Sequence, residues 1–181
     1  MNDVVVFGVG HSGTSLLAKM MHTLGWNPND ADSSFAESVR MREINRQLLA
    51  GAPLPAQMAA SLEFVRSLSR PFAVKDPRLV ETLSHWNDVF AALQLSPMLI
   101  MVERDYEAVA QSYTDRNELV RGRPGTRNRT LDEMLELAEA NYARWPYPKL
   151  KIRYENLVEA ALLVKTRRAM RKTGGLWLDE D

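Results

Sequence analysis

The apolar run Val4-Val5-Val6-Phe7 opens directly into Gly8-Val9-Gly10-His11-Ser12-Gly13-Thr14-Ser15. A helical pattern of Leu16, Leu17, Met20, Met21 and Leu24 follows at once. Strand, glycine-rich turn and helix in this order form the context of a phosphate-cradling loop. The spacing from Gly8 to Gly13 matches the P-loop, so backbone N–H groups and a helix N-terminus are available to an anion. Thr14 stands where an ATPase or kinase carries its lysine. The loop therefore lacks the usual side chain for reaching a β/γ-phosphate. This points away from ordinary nucleoside-triphosphate hydrolysis and toward a different anionic donor.

The rest of the chain alternates strands and helices. A strand is expected at residues 3–8, a helix at 14–25, a polar loop at 26–34 and a helix at 36–50. After a Gly/Pro break at 51–55, Met58, Leu62, Val65 and Leu68 make a third helical stripe. Residues 71–75 read as a strand, 79–94 as one or two helices, 97–102 as a strand and 105–116 as a helix. Residues 117–129 form a basic loop. Thr130 and Glu133 make a capping box for a helix with Leu131, Met134, Leu135, Ala138, Tyr142 and Trp145 on its apolar positions. Residues 149–153 are the last strand and 155–172 the last helical pattern. Such alternation implies an α/β fold of the P-loop NTPase-like, three-layer type, a parallel sheet with helices on both faces. One domain over 1–181 is expected. Ligands in such sheets bind at the carboxyl ends of the strands.

Composition narrows the partners. Lys+Arg and Asp+Glu number 23 each, so charge makes no case for nucleic acid or a membrane surface. The absence of cysteine excludes a disulfide framework and a thiolate metal site. No apolar run approaches the roughly 18 residues of a membrane span, and the first strand starts almost at Met1. A cytoplasmic location is the expectation.

Three further blocks sit at expected strand ends. Pro71-Phe72-Ala73-Val74-Lys75-Asp76-Pro77-Arg78 is a strand running into a basic–acidic–proline corner. Val102-Glu103-Arg104-Asp105 ends another strand, and Ser112 lies eight residues after Arg104. Lys151-Ile152-Arg153-Tyr154-Glu155-Asn156-Leu157 is a strand entering a helix. Together with the loop, these blocks resemble the sulfotransferase family that uses 3′-phosphoadenosine 5′-phosphosulfate (PAPS). The similarity is closest to the branch with an R-S-G-T-S-type loop, a K-D-P corner and a Y-E-x-L segment, and it spans roughly residues 4–158.

The resemblance implies roles residue by residue. Gly10, His11, Ser12, Gly13, Thr14 and Ser15 would hold the 5′-phosphosulfate, and Arg104 with Ser112 the 3′-phosphate. Lys75 would stabilise the transferring group, and Arg78 would touch donor or acceptor. His11 is a departure, since the family usually carries Lys or Arg there; a protonated histidine could serve the same charge. Glu37 is the first choice of general base, with Asp30, Asp32 and His85 as fallbacks. Glu155 would organise the site from behind. The product would be adenosine 3′,5′-bisphosphate, no metal is expected, and the acceptor would be a small molecule, carbohydrate or peptide. A homodimer completing the cleft of this short chain is left open. The tail 167–177 invites comparison with the R-K-G-x-x-G-x-W segment of cytosolic sulfotransferases but, with its spacing one residue short, reads better as a basic, solvated terminal helix. Arg121, Arg123, Arg127 and Arg129 read equally well as anion contacts or as solvated surface.

Two other readings stay open. One is a P-loop nucleotide or small-molecule kinase, with Glu103 or Asp105 as its strand-end carboxylate. The other is a noncatalytic, degenerate sulfotransferase that binds nucleotide.

Overall fold

The computed structural model describes residues 1–115 and 129–172, with side chains described as far as residue 163 of the last helix. Its sheet has four strands: β1 (Val4–Phe7), β2 (Ala73–Lys75), β3 (Met98–Glu103) and β4 (Lys149–Arg153). They lie in the order β2-β1-β3-β4, and every neighbouring pair is parallel. Parallel neighbours cannot be joined by a tight turn, so helices carry the chain back across the sheet. Three of them, α1 (Thr14–Thr23), α2 (Val39–Leu49) and α3 (Leu54–Ser67), connect β1 to β2. Next, α4 (Leu79–Ala92) leads to β3, α5 (Tyr106–Asp115) and α6 (Leu131–Arg144) lie between β3 and β4, and α7 (Tyr154–Lys172) follows β4.

Side-chain alternation along β1 divides the core in two. Val5 and Phe7 face Phe64, Trp86, Phe90 and Ala138, contributed by α3, α4 and α6. Val4 and Val6 face Leu17, Ala18 and Met21 of α1 and Leu157 of α7. A strand buried on both faces reads as a continuous apolar run, which is why Val4-Val5-Val6-Phe7 shows no alternation with polar residues. The result is a three-layer α/β fold of the P-loop NTPase-like type, as the alternation of elements implied.

Local signals explain most boundaries. Thr130 and Glu133 form the expected box, with Glu133 N donating to Thr130 Oγ1 at 3.2 Å and Thr130 N donating to Glu133 Oε2 at 2.7 Å. Residues 79–94 give one helix rather than two. The helix expected from residue 36 starts at Val39 because Ser38 caps it, accepting from Met41 N at 3.2 Å. Glu37 consequently lies before the helix, not in its first turn. The third helix begins at Leu54, ahead of its apolar stripe, where a proline in the first turn is tolerated. Among the described residues no helix is long and apolar enough to cross a membrane.

Trp86 is fully buried. Its Nε1 donates to Asn45 Oδ1 at 2.7 Å, and Thr82 Oγ1 donates to the same oxygen at 2.8 Å. Trp145 is core as well, packed edge-on against Phe90. Because Asn45 is the acceptor for a buried indole, Asn45→Ala should cost about 1–3 kcal/mol from the unsatisfied donor alone, read as a lower urea midpoint at unchanged m-value.

Candidate functional site

The sheet order reverses direction at β1, and the loop 8–15 fills the crevice so formed at the carboxyl ends of the strands. His11 (φ 67°) and Gly13 (φ 102°) adopt left-handed backbone conformations. At Gly13 a glycine is obligatory for a second reason: a Cβ would sit 2.3 Å from Cδ2 of Tyr154. The loop is tied down by Ser12 N donating to Val9 O (3.2 Å) and by Leu16 N and Leu17 N donating to Gly13 O (2.9 and 3.2 Å). The first N–H groups of α1 have no acceptor within the helix, so the loop and helix start present donors to an anion.

In front of the loop lies a cleft of about 730 Å³. Gly10, His11, Gly13, Thr14, Ser15, Glu37, Lys75, Arg78, Arg104 and Ser112 all line it. Sequence reasoning had drawn these from five separate segments, and the fold brings them to one place. Ser12 is the exception among the expected binding residues. It is buried, its Oγ finds no hydrogen-bond partner among the described residues, and it lines a second cavity of about 510 Å³ behind the loop. Its side chain therefore faces away from the cleft, leaving only its backbone to the anion.

Lys75 is 3% exposed at the end of β2. Its ammonium donates to Ser15 Oγ and to Glu37 Oε1, both at 3.1 Å. Glu37 is also 3.8 Å from Arg42 Nη1, so the carboxylate lies between two cations. Beside it Asp76 accepts from Arg78 N (2.8 Å) and Arg78 Nη1 (3.1 Å to Oδ2). Burial pushes the Asp76 carboxyl above the ordinary carboxylate range, opposed chiefly by Arg78. The Lys-Asp-Pro-Arg corner thus has an internal structural job in addition to whatever it does for a ligand.

On the other side of the loop, Arg104 Nη1 donates to His11 O at 3.1 Å, and its guanidinium lies 4.5 Å from the centre of the Tyr154 ring. Ser112 Oγ and His11 Nδ1 are 3.0 Å apart, and the His11 ring meets Tyr113 edge-on at 4.4 Å. Asp105 caps α5, accepting from Ala108 N at 3.2 Å. The eight-residue spacing from Arg104 to Ser112 therefore returns both side chains to one loop residue.

The fallback bases do not line the cleft. Asp30 accepts from Ser38 Oγ and Arg40 N, each at 2.7 Å, and Asp32 accepts from Phe35 N at 2.6 Å, so both brace the polar loop. His85 lies on α4, 2.8 Å from Ser61 Oγ, and burial lowers its pKa against the opposing pull of Asp88. Glu103 pairs with Lys151 at 2.9 Å and, with Asp105 and Glu155, borders the rear cavity. Arg129 pairs with Glu81 at 3.3 Å. Arg121, Arg123 and Arg127 and residues 173–177 of the tail lie outside the described residues, as do the side chains of 167–172.

Sequence reasoning assigned nothing to Tyr154, Arg42, Arg46 or Phe35, all of which line the cleft. Tyr154 was visible as the first residue beyond a strand end. Arg42 and Arg46 were visible as an i,i+4 pair on one helix face.

No protein-family model matches the chain, and no curated protein sequence does. Several solved structures are similar in fold. One is a sugar kinase from Janibacter sp. HTCC2649, with TM-score 0.45, 14% identity, and coverage of 90% of this chain and 93% of that one. Another is deoxyadenosine kinase from M. mycoides with bound dATP, with TM-score 0.43, 12% identity, and coverage of 92% and 98%. Similarity at this level leaves both the fold and the reaction to be argued from this chain's own geometry.

Two outcomes follow from this geometry. Gly13→Ala should destabilise the protein, and adding Tyr154→Ala should recover part of the loss. A residue of about 1–2 kcal/mol should remain from left-handed strain, measured as a double-mutant cycle in urea. His85 has a folded-state pKa below its unfolded value, so its contribution to stability is present above the ordinary histidine pKa of about 6.5 and is lost as pH falls below it. The fall in urea midpoint between pH 7.5 and 5.5 should be smaller in His85→Asn.

Proposed function

We propose that this chain is a P-loop group transferase that moves a sulfuryl group from PAPS to a hydroxyl or amine acceptor. The observation that carries this reading is the position of Lys75. Its ammonium sits against Ser15 Oγ, the hydroxyl that in P-loop NTPases and kinases binds Mg²⁺. Here a buried fixed cation from β2 takes that neighbourhood, while Thr14 replaces the usual loop lysine. A resident ammonium can stabilise charge on the transferring group without a metal. Arg104 and Ser112 converge on the opposite side of the loop, where a guanidinium fork and a hydroxyl suit a 3′-phosphate.

In the proposed reaction the loop amides fix the 5′-phosphosulfate and the acceptor oxygen attacks sulfur in line. The new O–S bond forms as the S–O bond to the phosphate breaks, with its electron pair passing to the phosphate oxygen. Glu37 takes the acceptor proton. Lys75 and a protonated His11 stabilise the charge spreading over the sulfuryl oxygens and the leaving phosphate. Most of the acceleration would come from positioning and fixed electrostatics.

Phosphoryl transfer from ATP is the second reading, and one observation favours it. Ser15 Oγ and Glu37 Oε1 converge on a single point, now held by Lys75 Nζ. A hydroxyl and a carboxylate so placed are also a donor set for Mg²⁺.

Calorimetric titration separates the two. On the first reading adenosine 3′,5′-bisphosphate binds without magnesium, and Arg104→Ala weakens it about 10- to 100-fold, the worth of a charge-assisted hydrogen bond. Binding of ATP with magnesium, and none of the bisphosphate, would establish the kinase reading instead.

A further inference from the structure

The sheet order places the two basic sides of the cleft on opposite flanks of the loop. Arg104 follows β3 on one flank; Lys75 and Arg78 follow β2 on the other. On the donor reading above, Arg104, Ser112 and the loop account for both phosphorus-bearing groups of the nucleotide. The β2 flank then holds more positive charge than the donor needs. Arg42 and Arg46, one helical turn apart on α2, line the cleft there together with Arg78.

The guanidinium groups on this flank are only partly engaged. Among the described residues Arg46 has a single ion pair, to Glu43 at 3.6 Å, and both side chains are more than half exposed. Such a pair contributes little and yields readily to a better anion. Arg78 uses Nη1 on Asp76, while its Nε is buried with no acceptor among the described residues. Arg42 divides its Nη1 between Asp32 at 3.2 Å and Glu37 at 3.8 Å. Among the described residues Glu37 is the one carboxylate lining the cleft, and Lys75 already neutralises it. A neutral acceptor would leave this flank's charge unused, whereas an anionic one would be drawn in and oriented by it.

We infer that the acceptor is itself an anion: an alcohol carrying a carboxylate, or a sulfate or phosphate ester, close to the hydroxyl that is modified. Arg46 and Arg42 hold the anionic group, which places the hydroxyl toward Glu37 and the loop. Phe35, half exposed at the same rim and fixed by the Asp32 turn, offers a flat apolar surface to the acceptor's carbon skeleton. This inference rests on the donor reading.

The test uses full-length protein saturated with adenosine 3′,5′-bisphosphate, titrated calorimetrically with an oligogalacturonate and, in parallel, with its methyl ester. The ester differs only by masking the carboxylates. The acid is expected to bind at least ten-fold more tightly than the ester, and the preference should shrink as salt is raised. Arg46→Gln should reduce it, and the Arg42→Gln/Arg46→Gln double variant should abolish it with bisphosphate affinity unchanged. Sulfated and phosphorylated saccharides of equal length then rank the anionic groups. Equal binding of acid and ester, or binding of neither to the loaded protein, overturns the inference and leaves the donor site standing. Failure of the bisphosphate itself to bind wild type overturns the donor reading and this inference together. An acid preference that survives the double variant also overturns it, because the recognising charges would then lie elsewhere.

Discussion

The position of β1 governs everything built around it. Among the described strands it is the one where the sheet order reverses, with β2 on one side and β3 on the other. It must be apolar on both faces, because α1 and α7 cover one side and α3, α4 and α6 the other. The chain leaving β1 therefore emerges into a crevice with strand ends on both flanks. A glycine-rich turn there has its amides facing outward and cationic side chains arriving from left and right. The crevice itself follows from parallel strand pairing plus the strand order, before any particular side chain is considered.

The loop is held in place from outside itself. Tyr154, at the start of α7, lies against Gly13, and the guanidinium of Arg104, just beyond β3, lies over the same ring and bonds the carbonyl of His11. Three strand ends thus meet in one contact, so the glycine-rich turn is coupled to the last β–α junction of the sheet. Preorganisation of this kind is what allows backbone amides to stabilise a developing charge without first rearranging. On the β2 flank the same logic applies to Lys75. A buried ammonium is costly unless paired, and Ser15 and Glu37 provide the partners that hold it beside the loop.

The capping box at Thr130 and the strand 149–153 were legible because their signals are local. Glu37 was misplaced onto a helix because Ser38, a better N-cap, lies one residue further on. Ser12 was grouped with its neighbours, yet the turn of the loop sends its side chain backward. Asp30, Asp32 and His85 were candidate bases by type alone. The first two are consumed by backbone donors and the third is packed between helices. None of these fates has a signature at the level of spacing, since each depends on where a second segment lies.

The sequence by itself determined the layered α/β fold, the glycine-rich turn and just over half of the residues lining the cleft, but not Tyr154, Arg42, Arg46 or Phe35. Those properties follow from apolar periodicity, from glycine's backbone freedom and from the rule that parallel strands present their ends together. Only the tertiary structure decided that Lys75 reaches Ser15 while Arg104 and Ser112 both reach His11, and that Tyr154 lies against the turn. The physical reason is that strand order, which no local pattern encodes, sets which strand ends flank the loop. It thereby separates the basic flank carrying Arg104 from a second one carrying Arg42, Arg46 and Arg78.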